Sequence, residues 1–214
     1  LAQSYYNLTF TNFIGDTPTE SLLVANNSPI ARKFNIEKLK EESARNLSLG
    51  FTARLSPSFN ATIDAYYVSI KDRIILSGNF NASSLNLNID NVQFFANGVN
   101  TKTTGLDLVL NWQKKFDYSK LQIDFSGNIN TMKITSINNK MLDKETFFGK
   151  REQQFLLASA PKSKFNLGIN YQYKKLSTSV NITRFSSLKL IDWQITQDLS
   201  NFNDSEEERL AAAT

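Results

Sequence analysis

Apolar and polar residues alternate with period two in six separate segments of this chain, the pattern of strands whose side chains change face at every residue. In Gly105-Leu106-Asp107-Leu108-Val109-Leu110-Asn111-Trp112, one face carries Leu106, Leu108, Leu110 and Trp112, and the other Asp107 and Asn111. A second register sets Leu121, Ile123, Phe125 and Ile129 against Gln122, Asp124, Ser126, Asn128 and Asn130. A third sets Phe165, Leu167, Ile169, Tyr171 and Tyr173 against Asn166, Gly168, Asn170 and Gln172. A soluble sheet buries the apolar face. A membrane barrel turns it to lipid and keeps amides and carboxylates toward a wet lumen.

Composition does not separate the two, because 41% apolar residues and a mean hydropathy of −0.33 fit either; only every second residue of a barrel strand faces lipid. No stretch approaches the roughly 18 consecutive apolar residues of a membrane helix. With no cysteine and no histidine, the chain has no disulfide, no thiolate ligand and no imidazole base, so neither an enzyme nor a cofactor is expected. The net charge of +4 comes from scattered lysines without a basic run, which argues against nucleic acid as a partner. Leu1-Ala2-Gln3-Ser4 lacks the charged segment and apolar core of an export signal, so an exported barrel with this opening is expected to be a piece of a longer precursor.

Turn residues delimit six strands: Arg45 to Leu55, Phe59 to about Leu76, about Phe94 to Gln113, Leu121 to about Ile137, Lys164 to Tyr173, and Leu176 to about Phe185. The connections Ser56-Pro57-Ser58, Phe116-Asp117-Tyr118-Ser119 and Lys174-Lys175 are short, whereas residues 77–93, 138–163 and 186 onward are long. Short turns on the periplasmic side and long extracellular loops are the asymmetry of an outer-membrane barrel. The expectation is therefore all-β: one antiparallel, up-and-down, partial transmembrane β-barrel region over residues 1–214, with extracellular loops at 1–44 and 186–214 and six strands in 45–185. Phe59 to Leu76 is long enough to rise roughly 40 Å at a 45° tilt, beyond an apolar band about 25 Å tall. Its alternation breaks at Val68-Ser69-Ile70-Lys71-Asp72-Arg73. Helices are expected after Ser28-Pro29, over Glu145 to Leu157 and over Ser205 to Ala213.

Several segments in order resemble the TonB-dependent outer-membrane receptors of Gram-negative bacteria. Leu1-Ala2-Gln3-Ser4-Tyr5-Tyr6 is similar to the segment after a barrel strand, and Leu39-Lys40-Glu41-Glu42 leading into Ser43 to Phe51 resembles a loop-to-strand motif, with Glu41 where the family has proline. Asp64 to Ile74 resembles the ascending strand that follows, Asn97-Gly98 through Leu108 a glycine-punctuated descent, and Pro161 to Gly168 a later loop exit. The resemblance implies a segment of a barrel of roughly 22 strands that lacks its plug, its TonB box, the earlier strands and the last three. It further implies import of a ferric siderophore or similar scarce nutrient, energised by the TonB complex through the absent plug, with outer-membrane lipid around the wall. The alternatives are another porin or adhesin barrel and a soluble β-sandwich that binds carbohydrate.

Within 138–164, Lys140, Lys144, Lys150, Arg151, Lys162 and Lys164 outnumber Asp143, Glu145 and Glu152, and a cationic loop attracts an anionic ferric chelate or lipopolysaccharide phosphates. Phe147 and Phe148, with Tyr66, Phe94 and Phe95, offer rings for an aromatic chelator. The candidate ligand residues are accordingly Lys140, Lys144, Phe147, Phe148, Lys150 and Arg151, with no catalytic or metal residue. Asp64 and Asp124 read as a carboxylate pair on neighbouring strands, solvated in a lumen. Asp16, Asp143 and Asp198 lack calcium-loop spacing. Asn-Xaa-Ser/Thr triplets at Asn7, Asn46, Asn60, Asn81, Asn181 and Asn203 are chance matches, three of them inside expected strands.

Overall fold

Alternation builds a wall and leaves the loops to build the core. The computed structural model describes residues 2–14, 17–85, 87–138 and 143–190. Six long strands form the wall: β3 (Ser43–Ser56), β4 (Phe59–Leu76), β6 (Asn91–Lys115), β7 (Ser119–Ile137), β8 (Ser163–Tyr173) and β9 (Leu176–Phe185). They pair antiparallel in the order β3, β4, β6, β7, β8, β9, and the sheet does not close. Each covers its expected segment, and β6 runs three residues further toward the N-terminus than the alternation of Phe94 onward suggests. Among the described residues no helix is long and apolar enough to cross a membrane.

The described residues of the connections at 77–93 and 138–163, and of the first 42 residues, fold rather than hang. β1 (Leu8–Ile14) and β2 (Thr17–Val24) form a hairpin within the segment expected to be loop, β2 adds parallel to the start of β6, and the two-residue β5 (Phe80–Asn81) joins the same stretch. Pro18, Glu20 and Ser21 break any period in β2, so its strand character comes from pairing Ser21–Val24 with Asn91–Phe94 across 70 residues of chain. Helix α1 (Pro29–Lys33) starts as expected: the Ser28 hydroxyl accepts from the Ala31 N–H at 3.1 Å with proline at the first turn. The helix expected over Glu145 to Leu157 is two, α2 (Lys144–Phe148) and α3 (Lys150–Leu157), separated by extended Gly149. Asp143 caps α2 by accepting from the Thr146 N–H and hydroxyl, which hold its carboxyl below the usual range. The helix expected over Ser205 to Ala213 lies outside the described residues.

These elements and the protruding ends of β4 and β6 enclose a core of Val24, Ala31, Ile36, Ile75, Phe80, Ala82, Val92, Phe94, Val99, Phe147 and Phe148. Phe34, Phe80 and Phe94 pack ring to ring at 5.4–5.9 Å, a geometry favoured by the ring quadrupoles. We call this unit the cap. Asn26, 2% exposed, ties it together by donating to the carbonyls of Glu37 and Phe95. Asn97 fixes Leu39-Lys40-Glu41-Glu42 to the wall: its side chain accepts from the Lys40 N–H at 2.8 Å and donates to the Lys40 and Asp72 carbonyls. Where the β4 alternation fails, the register shifts between Ile70 and Ile74, and Asp72 sits at φ 54°, in the left-handed region that Asp tolerates better than most residues.

Candidate functional site

The wall presents two faces of opposite chemistry. On one, the register lines up Leu49, Ala65, Leu106 and Ile129, then Phe51, Ile63, Leu108, Gly127 and Phe165, then Ala53, Ala61, Leu110, Phe125, Leu167 and Ile182, then Phe59, Trp112, Ile123, Ile169 and Val180. Among the described residues nothing covers this face: Leu49 is 80% exposed, Phe51 67% and Ile182 56%. A patch this size without a partner marks a surface that meets something apolar.

The band is inclined to the strands. Its uppermost large apolar or aromatic residues toward the cap are Leu47 on β3, Tyr67 on β4, Leu106 on β6, Ile129 on β7, Phe165 on β8 and Ile182 on β9. The first two lie on one register line, the next two lie one same-face step nearer the turns, then two steps, then three. Three steps are about 20 Å along a strand, and five strand spacings about 24 Å across the sheet, so the edge crosses the strands at a slope of about 40°. Barrel strands in membranes tilt by about 35–45°.

The other face carries three hydrogen-bonded polar clusters. Asn111 and Gln122 donate to the two carboxylate oxygens of Asp124, each at 2.8 Å. Asn128 donates to Asp107 at 2.6 Å and to the Tyr66 hydroxyl at 3.2 Å, and Asn130 donates to Asn128. Further along, Thr183 donates to Asn166 and Asn166 to Ser126. The carboxylate pairing differs from the sequence expectation: β6 separates β4 from β7, so Asp64 stands directly opposite Asp107, and Asp124 faces Asn111. Pattern alone gave each strand its polar face, but not which strands are neighbours.

Two glycines open room on this face. A Cβ at Gly105 would fall inside the ring of Tyr66, which stands opposite it, and one at Gly50 would strike the Asp64 carboxylate. Gly105→Val is therefore expected to expel the Tyr66 ring at a cost of about 1–3 kcal/mol. In denaturant titrations, Tyr66→Ala should remove most of that penalty; equal penalties in both backgrounds would mean that the ring is not what the glycine accommodates.

The candidate ligand residues divide. Phe147 and Phe148 are 3% and 2% exposed and Phe94 is fully buried in the cap core, so these rings hold the cap together and present no open face. Lys144 and Lys150 are exposed at the starts of α2 and α3. Arg151 bridges Glu152 at 3.3 Å and lies 4.8 Å over the Phe155 ring. Lys140 lies outside the described residues. Among the described residues no cluster of acids could hold a metal ion. What the sequence reading missed is the cap itself, whose strands carry no periodic signal.

The family model described as TonB dependent receptor-like, beta-barrel, matches residues 2–210. Two solved structures similar in fold are those of the RagAB peptide transporter, at 16% identity and TM-score 0.52 over 84% of this chain, and of the RagAB peptide importer in its closed-closed state, at 17% identity and TM-score 0.54 over 89%. The FrpB iron transporter from Neisseria meningitidis aligns over 69% of this chain and 19% of its own, at 17% identity and TM-score 0.40. The chain spans about a quarter of the length of the two RagAB chains, 24% and 25%. No curated protein matches the sequence.

Proposed function

We propose, from the premise that this chain belongs to the TonB dependent receptor-like β-barrel family, that it supplies six adjacent wall strands and an extracellular cap to a plugged outer-membrane receptor. The observation that carries this reading is the uncovered apolar band, inclined at the angle at which barrel strands cross a membrane. Members of the family lie in the outer membrane of Gram-negative bacteria and act as receptors and transporters. In the whole receptor, we infer, the cargo is a ferric siderophore or similar scarce nutrient, driven by the TonB complex through the plug.

The polar face then lines the lumen, and the three short turns face the periplasm. This orientation is open to labelling, since the background has no cysteine. With an impermeant maleimide on intact cells, cysteine at Lys144 should label and cysteine at Ser119 or Ser177 should not. Strong labelling at Ser119 would invert the topology.

Lys144 and Lys150, exposed at the starts of α2 and α3, stand with Arg151 in a segment, 138–164, whose sequence, Lys140 included, is net cationic, and this is where an anionic cargo would be met. Lys144→Gln with Lys150→Gln should weaken binding of an anionic ferric chelate severalfold at low salt, and the difference should shrink as salt screens it. Unchanged affinity at low salt would remove these lysines from the cargo path. Short peptides are the second cargo class to include in the binding assay.

A further inference from the structure

Near its cap end, β4 turns one side chain over. Phe59, Ala61, Ile63, Ala65, Tyr67, Ser69 and Lys71 alternate onto the lipid-side face, and unbroken period two would put Arg73 beside them. The strand instead takes up an extra residue between Ile70 and Arg73, which sets Arg73 opposite Val99 and on the same face as Thr101. A bulge of this kind re-aims the side chain that follows it. The guanidinium therefore points to the lumen side, with Nη1 3.5 Å from the Thr101 hydroxyl and 3.8 Å from the Met132 sulfur. Asp72 makes the turn at φ 54°, and three side chains hold it there. Asn100 accepts from the Asp72 N–H at 2.9 Å, Asn97 donates to the Asp72 carbonyl at 2.6 Å, and Lys40 pairs with the carboxylate at 2.9 Å. A residue in a costly conformation persists where its surroundings over-determine it, and such residues cluster at ligand clamps.

The arginine placed in this way has little to hold. A guanidinium carries five N–H donors in a planar fork, and the two contacts of this one lie at the outer limit of hydrogen-bond distance. Arg73 is partly buried, and among the described residues no carboxylate pairs with it. The neighbouring acids are engaged elsewhere, Asp72 with Lys40 and Glu42 with the Ile74 N–H. Position narrows what the fork can meet. Tyr67, the uppermost ring of the apolar band on β4, lies six residues earlier, about 20 Å along an extended strand. Arg73 thus stands above the band, next to Ile75 and Val99 of the cap core, at the mouth of the lumen and not in the bore. Toward the turns the same face carries Tyr66 and Asn130 before its first carboxylates, Asp64 and Asp107.

We propose that Arg73 grips a carboxylate of the incoming cargo at the mouth of the lumen, and that the bulge at Asp72 exists to present it. A carboxylate matches the guanidinium fork with two parallel charge-assisted hydrogen bonds. The phenol of Tyr66 and the amide of Asn130 lie further in, for the uncharged part of the same molecule. Asp64 and Asp107 stand directly opposite each other below them and repel an anion, so the carboxylate end stays uppermost at Arg73. The inference rests on the transport reading above and narrows its cargo to molecules with a free carboxylate.

The test uses the full receptor in detergent and three probes: a pool of random pentapeptides without Asp or Glu and with free terminal carboxyls, the same pool amidated, and ferric citrate. The parent should retain the free-acid pool above the amidated one, or retain ferric citrate, and the probe that responds names the source of the carboxylate. Arg73→Gln should weaken that binding about tenfold to hundredfold, the loss expected for a hydrogen-bonded charge. Arg73→Lys, which keeps the charge without the planar fork, should fall between the two. Lys71→Gln, an equal loss of charge on the lipid-side face, should leave binding unchanged. Retention of neither carboxylate probe by the parent, unchanged retention by Arg73→Gln, or an equal loss in Lys71→Gln would overturn the assignment. A lower melting temperature of Arg73→Gln without cargo would overturn it as well, because the guanidinium would then be held by another part of the receptor, such as the plug. All of these leave the barrel reading standing. A receptor that is monodisperse without detergent would overturn that reading itself.

Discussion

Leu108→Arg in the full receptor is expected to abolish most of the heat-resistant folded species on a gel, while Asn111→Arg leaves it largely intact. Both residues lie in the wall part of β6, three positions apart, and so point to opposite faces. Leu108 sits in the apolar row of Phe51, Ile63 and Phe165, and Asn111 donates to Asp124. An arginine facing lipid near the midplane costs about 2–4 kcal/mol, whereas an arginine in a wet lumen keeps its hydration. At Asn111 it would also gain a carboxylate neighbour. Equal loss from both substitutions would refute the assignment of faces.

Phe94→Ala is expected to melt the cap and spare the wall. Phe94 is fully buried, packs against Phe34 and Phe80, and belongs to the one compact core of the described residues. Emptying such a site costs about 3–5 kcal/mol. A unit this small has little stability to lose. Hydrogen exchange should show protection lost in β1, β2 and α1 while β7 and β8, held by their ladder alone, keep theirs. If wall and cap lose protection together, they form one cooperative unit and the division between them does not hold.

The contrast between the two predictions also explains what could be read from the sequence. The wall strands are legible because each keeps period two over about eight or more residues, and that signal survives without knowing any neighbour. Three of their pairings were legible too, β3 with β4, β6 with β7 and β8 with β9, since short turns force antiparallel neighbours. The cap is different in kind. Thr17 to Val24 is tied to the wall only because β6 extends to Asn91, and nothing in that segment announces a partner so far away in the chain; Leu8 to Ile14 then pairs with it as a hairpin. Phe147 and Phe148 show the cost most plainly: two adjacent rings in a cationic loop resemble a ligand platform, and only the packing of α2 beneath β4 and β6 turns them inward.

β6 is shared by wall and cap. Its 25 residues run without interruption from Asn91, beside β2 and β5, to Lys115 at the last pair before the turn, about 80 Å at the rise of an extended strand. Clamped by β4 on one side and β7 on the other for most of that length, it behaves as a beam built into a frame, with the cap carried on its free end. A load on the cap is passed straight into the frame. The cap is therefore placed by the wall it stands on, through one unbroken strand.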